Sequence, residues 1–201
     1  MRKKTTEFSI LILFALLGTS YSCKQAIIPK PRGYFRIDLP EHQYTLFNDS
    51  VQNNKMPFSF EYPKYGLLSF QNDIKTDPGW FNINFPAYKA IIYLTYKDIN
   101  NDFEALMEQT YKMNIKNHIS KADAINELLF DNDKNKVYGV LYDLQGNTAS
   151  AVQFYVTDSI NHYLRGSLYF SSEPNADSLE PVIRFFREDI VHLIETLKWK
   201  K

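Results

Sequence analysis

Between residue 57 and residue 100, short stretches alternate apolar and polar side chains. Phe58-Ser59-Phe60-Glu61-Tyr62 alternates with period two and reads as a strand, and Leu67-Leu68-Ser69-Phe70 is a second short one. Asp77-Pro78-Gly79 is a turn signal. Beyond it, Trp80 to Phe85 alternates again, with Phe81, Ile83 and Phe85 on one face. Between Tyr88 and Tyr96, Ala90, Ile92 and Leu94 line one face while Ile91 and Tyr93 line the other. Apolar residues on both faces predict a central strand covered on both sides.

The period then lengthens. Phe103, Leu106, Met107, Tyr111 and Met113 form a helical stripe, with Asn101 and Glu104 at the spacing of a capping box. Ala122, Ile125, Leu128 and Leu129 repeat that spacing and predict a second, shorter helix. Alternation returns in Val137–Leu144, Ala149–Thr157 and Tyr163–Phe170, joined by the loops Gln145-Gly146-Asn147-Thr148 and Asp158-Ser159-Ile160-Asn161. Three strands linked this tightly make an antiparallel meander. Leu179, Val182, Ile183, Phe186, Ile190, Leu193, Ile194 and Leu197 then recur at helical spacing, with Asp177 or Ser178 as cap and Pro181 in the first turn. Two runs of strands with helices between and after them indicate an α+β fold: a twisted antiparallel sheet with a helical insertion and a C-terminal helix packed on it.

The N-terminus follows different rules. Arg2-Lys3-Lys4 precedes an apolar run from Phe8 to Leu17, and small residues follow up to Ser22. The run fits a secretory leader and falls short of the roughly 20 residues that a membrane span needs. The only cysteine, Cys23, comes next, so no intrachain disulfide can form. A cysteine at this point resembles a lipobox, in which the thiol takes diacylglycerol and becomes the mature N-terminus, although Ser20 and Tyr21 depart from the usual pattern. Two acyl chains suffice for stable anchoring. Pro29, Pro31 and Pro40 exclude a continuous helix beyond it. The expected organisation is a lipoprotein signal peptide over 1–22, a lipid-anchored tether and extended lead-in over 23–56, and a single α+β domain over 57–201.

Charge removes one class of function. The chain has 23 basic and 23 acidic side chains, so nothing electrostatic favours nucleic acid. His42, His118, His162 and His192 show no metal spacing, and no second cysteine or glycine-rich phosphate loop is present. No cofactor, no metal and no catalytic residue is expected. His192 reads as a helix-edge residue. Asp158, His162 and Arg165 gather around one hairpin. Arg165 could grip a partner carboxylate with His162 beside it, or form a cross-strand pair with Asp158. A hydrolase would need Asp158, His162 and a serine to meet within hydrogen-bond reach. Trp80 could be an exposed aromatic anchor or a rim residue of the core. Trp80, His162 and Arg165 are therefore the candidate partner-binding residues, and Cys23 is the candidate lipidation site.

Pro29-Lys30-Pro31-Arg32-Gly33-Tyr34-Phe35-Arg36-Ile37-Asp38-Leu39-Pro40 resembles the gliding-motility lipoprotein family GldD of Bacteroidetes. So do Ala149 to Ser159, continuing to His162, Leu164-Arg165-Gly166 and Leu168-Tyr169-Phe170, and the ending around Asn175, Asp177-Ser178, Asp189-Ile190 and Glu195-Thr196-Leu197-Lys198-Trp199. The resemblance implies a non-catalytic accessory role in gliding, coupled to type IX secretion. The partners it implies are the membrane, reached through the lipid, together with other gliding lipoproteins and envelope proteins. Lys24-Gln25 lacks the acidic cluster of surface-exported lipoproteins, so a periplasm-facing domain is expected. The order of strands and helices also resembles the photosystem-II subunit P (PsbP) and Mog1 group of folds, a likeness of fold that implies no activity. The alternative is a periplasmic lipoprotein that binds a small ligand or glycan in a pocket of the domain.

Overall fold

Alternation along the C-terminal strands favours one register, because a slip of one residue would turn an inward-facing set such as Val152, Phe154 and Val156 away from the core. The computed structural model describes residues 36–48, 56–70, 79–116 and 119–200. The leader, Cys23, most of the proline-rich lead-in, the loop around Val51, the Asp77-Pro78 turn and His118 lie outside the described residues. Residues 36–201 make one compact unit.

The strands are β1 (Tyr44–Phe47), β2 (Phe58–Pro63), β3 (Leu67–Phe70), β4 (Trp80–Phe85), β5 (Ala90–Asp98), β6 (Ala124–Asn132), β7 (Val137–Gln145), β8 (Ser150–Thr157), β9 (His162–Phe170) and β10 (Lys198–Trp199). The helices are α1 (Phe103–Tyr111), continued by a π-type turn, and α2 (Ala176–Thr196). Seven strands form an antiparallel sheet in the order β3-β4-β5-β9-β8-β7-β6, and a second ladder runs β1-β2-β10. This is the α+β architecture that the strand and helix periods predict.

One face of the large sheet is the core. Cross-strand partners run Leu141, Phe154, Gly166, Leu94, Phe81 and Phe70 in a single row from β7 to β3. Gly166 is required there, because a Cβ would drive into the ring of Phe154. Phe186, Ile190, Leu193 and Ile194 of α2 close over this face, each at most 1% exposed. Burial of such a side chain stabilises the fold by about 1.5–3 kcal/mol. Phe47 of β1 is fully buried and stacks on Phe60 at 4.7 Å and Phe81 at 5.5 Å. Ordered packing thus reaches N-terminal to residue 57.

Four local expectations change. Residues 124–132 are an edge strand, not a helix. Leu128 and Leu129 are both exposed, and the main chain pairs with β7 along nine registered positions, which the side-chain spacing did not reveal. The helix α1 starts after Asp102 with no side-chain cap, and Asn101 is in the left-handed region at φ 60°, so the capping box does not form. Asn175 caps α2 by accepting from the Ser178 amide, so the helix begins earlier than expected and Pro181 lies beyond its first turn. β5 is internal to the sheet, but Tyr93 on its outer face is 43% exposed. Its second face is only partly covered, because α1 lies toward one end.

Candidate partner-binding site

Parity along β9 separates the candidate residues. His162 shares its face with Leu164, Gly166 and Leu168, whereas Arg165 shares the opposite face with Tyr163. The register then aligns Trp80 of β4 with Thr95 of β5, and Thr95 with Arg165 of β9. With α1 and its continuation laid over this row, Trp80, Thr95, Lys97, Gln109, Met113 and Arg165 line a groove of about 90 Å³, floored by Leu106 and Tyr163. Two of the three candidate residues are thus brought together, and His162 is not.

Arg165 has no carboxylate partner among the described residues. Its Nη1 donates to the Met113 sulfur, a weak acceptor. Burial pulls the guanidinium below its ordinary value, and the phenols of Tyr163 and Tyr169 oppose that. The Asp158–Arg165 pair does not form. Asp158 instead folds back on its own hairpin, where Oδ1 accepts the amides of Ile160, Asn161 and His162 at 2.8–3.0 Å. Those bonds hold its carboxyl below the usual range even though burial acts against them. Trp80 is 43% exposed at the groove rim. Deeper in, Thr110 and Tyr163 share a hydroxyl hydrogen bond, and burial pushes the Tyr163 phenol up to about 12.

His162 belongs to the core side. Its Nδ1 lies 2.8 Å from the Tyr96 hydroxyl, which donates to Asp98 Oδ1 at 2.5 Å, and its ring stacks on Trp199 at 5.1 Å. Asp158 and the His162 ring therefore face different partners, and the constellation a hydrolase would need is not assembled.

A second polar cluster was not legible in the sequence. The Asp189 side chain is fully buried on α2. Its Oδ1 meets His42 Nδ1 at 2.8 Å and accepts from the Tyr44 hydroxyl at 3.1 Å; its Oδ2 accepts from the Tyr65 hydroxyl at 2.6 Å. Burial raises the Asp189 carboxyl above its ordinary value, partly offset by those donors. His42 Nε2 meets Glu188 at 3.1 Å, so both ring nitrogens face carboxylates and neither is open to a nucleophile. Tyr44 stacks on His192 at 3.6 Å, and His192 Nε2 meets Glu61 at 2.7 Å. The arrangement fastens the N-terminal segment to β2 and α2. Its members come from three distant stretches, so no local spacing signals them.

A third feature is an open cleft of about 460 Å³ between the edge strand β6 and α2, lined by Leu128, Leu129, Phe130, Val191, Ile194 and Glu195 among others. Among the described residues no group of His, Cys, Asp or Glu is arranged to hold a metal. No described helix is long and apolar enough to cross a membrane.

The sequence profile of the family described as gliding motility lipoprotein GldD matches residues 24–199. The chain belongs to the GldD family. GldD family membership makes it a gliding-motility lipoprotein by kind, and the match starts at the residue after Cys23. No curated protein matches the chain significantly. Among solved structures, the solution structure of cyanobacterial PsbP (CyanoP) from Synechocystis sp. PCC 6803 is 12% identical, with a TM-score of 0.48, covering 82% of this chain and 97% of that one.

Proposed function

We propose that this GldD-family chain is a non-catalytic accessory component of the gliding machinery, coupled to type IX secretion, held in a membrane by lipid on Cys23 and facing the periplasm. The observation that carries this reading is where the family match begins, directly behind the sole cysteine and a leader-like segment. Two acyl chains at that sulfur anchor a folded domain stably. The absence of acidic residues at Lys24-Gln25 supports a periplasmic orientation. The non-catalytic role is supported by the way the polar groups are spent: Asp158 on its own turn, His162 on Tyr96, and His42 between two carboxylates.

The test is Cys23→Ala in cells fed a labelled fatty acid. The variant loses the label and leaves the membrane fraction; unchanged labelling and unchanged fractionation refute the anchor. Gentle detergent extraction tests the accessory role, since a component of a machine leaves the membrane with partners attached and recovery alone counts against it. A small ligand is the second reading, favoured by the cleft beside β6, whose volume of about 460 Å³ falls in the range of roughly 300–1,000 Å³ typical of ligand sites.

A further inference from the structure

We infer that the groove between α1 and the outer face of β4, β5 and β9 receives an aspartate or glutamate side chain from a partner protein, with Arg165 gripping the carboxylate and Trp80 covering the partner backbone. The inference deepens the accessory reading by giving one surface of this chain a chemistry.

Charge is the first argument. Among the described residues the groove lining holds two cations, Arg165 and Lys97, and no acidic residue. Lys97 sits opposite Tyr163 and Arg165 opposite Thr95, so the two cations are diagonal neighbours on one sheet face. That spacing is about 7–8 Å, close enough for both to act on a single anion. A half-buried guanidinium whose one acceptor among the described residues is a thioether keeps most of its five donors available. A planar carboxylate is the group whose geometry answers that fork with two parallel hydrogen bonds.

Size is the second. The groove is about 90 Å³, well under the roughly 300 Å³ at which ligand pockets begin. It admits one side chain and leaves no room to enclose a free metabolite. The remaining contact must then come from outside the groove, and Trp80 is the exposed surface beside it. Tryptophan and arginine are the residue types that most often dominate protein–protein contacts.

The test uses the full lipidated chain in living cells. A photo-crosslinking amino acid replaces Gln109, an exposed residue of the groove wall, and a control places it at the exposed Glu180 of α2. Adducts are mapped to the crosslinked peptide by mass spectrometry. The expected result is a partner segment with Asp or Glu within a few residues of the link, formed from Gln109 and not from Glu180. Its yield falls by about tenfold with Arg165→Gln, as loss of one member of a hydrogen-bonded charge pair predicts, and returns in part with Arg165→Lys. Circular dichroism and membrane fractionation of Arg165→Gln confirm that fold and anchor persist. The inference is overturned by the absence of any adduct at Gln109, by a crosslinked segment without acidic residues, or by a yield indifferent to Arg165→Gln. Because the anchor is read separately through Cys23, each of these failures leaves the membrane placement standing.

Discussion

Replacing Tyr65 with phenylalanine deletes one oxygen and keeps the ring that packs near Phe85 and Phe185. The lost hydroxyl is the donor at 2.6 Å to Asp189 Oδ2, on a side chain with no exposed surface. Water cannot take its place without rearrangement, so the loss approaches the roughly 1.5–3 kcal/mol of a hydrogen bond to a charged group. Tyr44→Phe is milder, near 1 kcal/mol, because Oδ1 keeps His42 at 2.8 Å. The pH dependence has a definite sign. Burial raises the folded-state carboxyl of Asp189 above its unfolded value. Its stabilising contribution is therefore full below the unfolded value and declines as pH rises through the folded one. Tyr65→Phe removes a donor to the charged form and pushes that carboxyl higher still, so the deficit against wild type widens as pH rises from the ordinary carboxylate range toward neutrality. Urea unfolding read by tryptophan fluorescence at several pH values measures it. With a slope of about 1–3 kcal/mol per molar, the midpoint falls by about 1 M at neutral pH. An unchanged neutral midpoint, or a deficit larger in acid, refutes the reasoning.

Phe47→Ala empties a fully buried ring site between Phe60 and Phe81 and destabilises the protein by about 3–5 kcal/mol. A midpoint within error of wild type would show that β1 contributes nothing. Gly139→Ala forces a Cβ onto the Tyr155 carbonyl and the Val156 backbone, so the β7–β8 ladder must spread, at a cost of about 1–3 kcal/mol or more. Hydrogen exchange should accelerate first across β7 and β8, and uniform protection there would contradict this. Arg187→Ala removes the 2.7 Å contact between α2 and Asp143 of β7, which is partly exposed; the loss is under about 1 kcal/mol and shrinks in high salt. A loss indifferent to salt would mean that packing is responsible.

The meander was legible because an inward-facing apolar set recurs at every second position, Val152, Phe154 and Val156 most plainly, even though Val140, Tyr142 and Leu144 bury part of the other face. β6 was not, because an exposed edge strand carries no such mark. Ala122, Ile125, Leu128 and Leu129 are spaced like one helix face by coincidence, while main-chain pairing with Val137–Gln145 decides the conformation. The groove needed information that lies across strands. Trp80 and Arg165 are 85 residues apart and become neighbours only through Thr95 in β5. Asp158 and Arg165 looked complementary by proximity, but three amides of its own turn claim the aspartate first. The His42–Asp189 contact joins positions 147 residues apart, one of them in a stretch expected to be lead-in. His42 two residues before Tyr44, just after Pro40, is the only local signal that could have prompted the search.

A tug on the protein from its amino-terminal side meets His42 and Tyr44 before it meets the large sheet. Behind the Tyr88 hydrogen bond to the Asp38 carbonyl and the packing of Leu39, resistance comes from one imidazole and one phenol clasping a helix carboxylate, then from the four-residue β1 zippered to β2. β2 is also the strand to which the carboxyl-terminal β10 is sewn, so strain arriving at one end of the polypeptide reaches the other through a single shared ribbon. Release of residues 36–47 alone would give slack at that end while leaving the groove beside Arg165 intact.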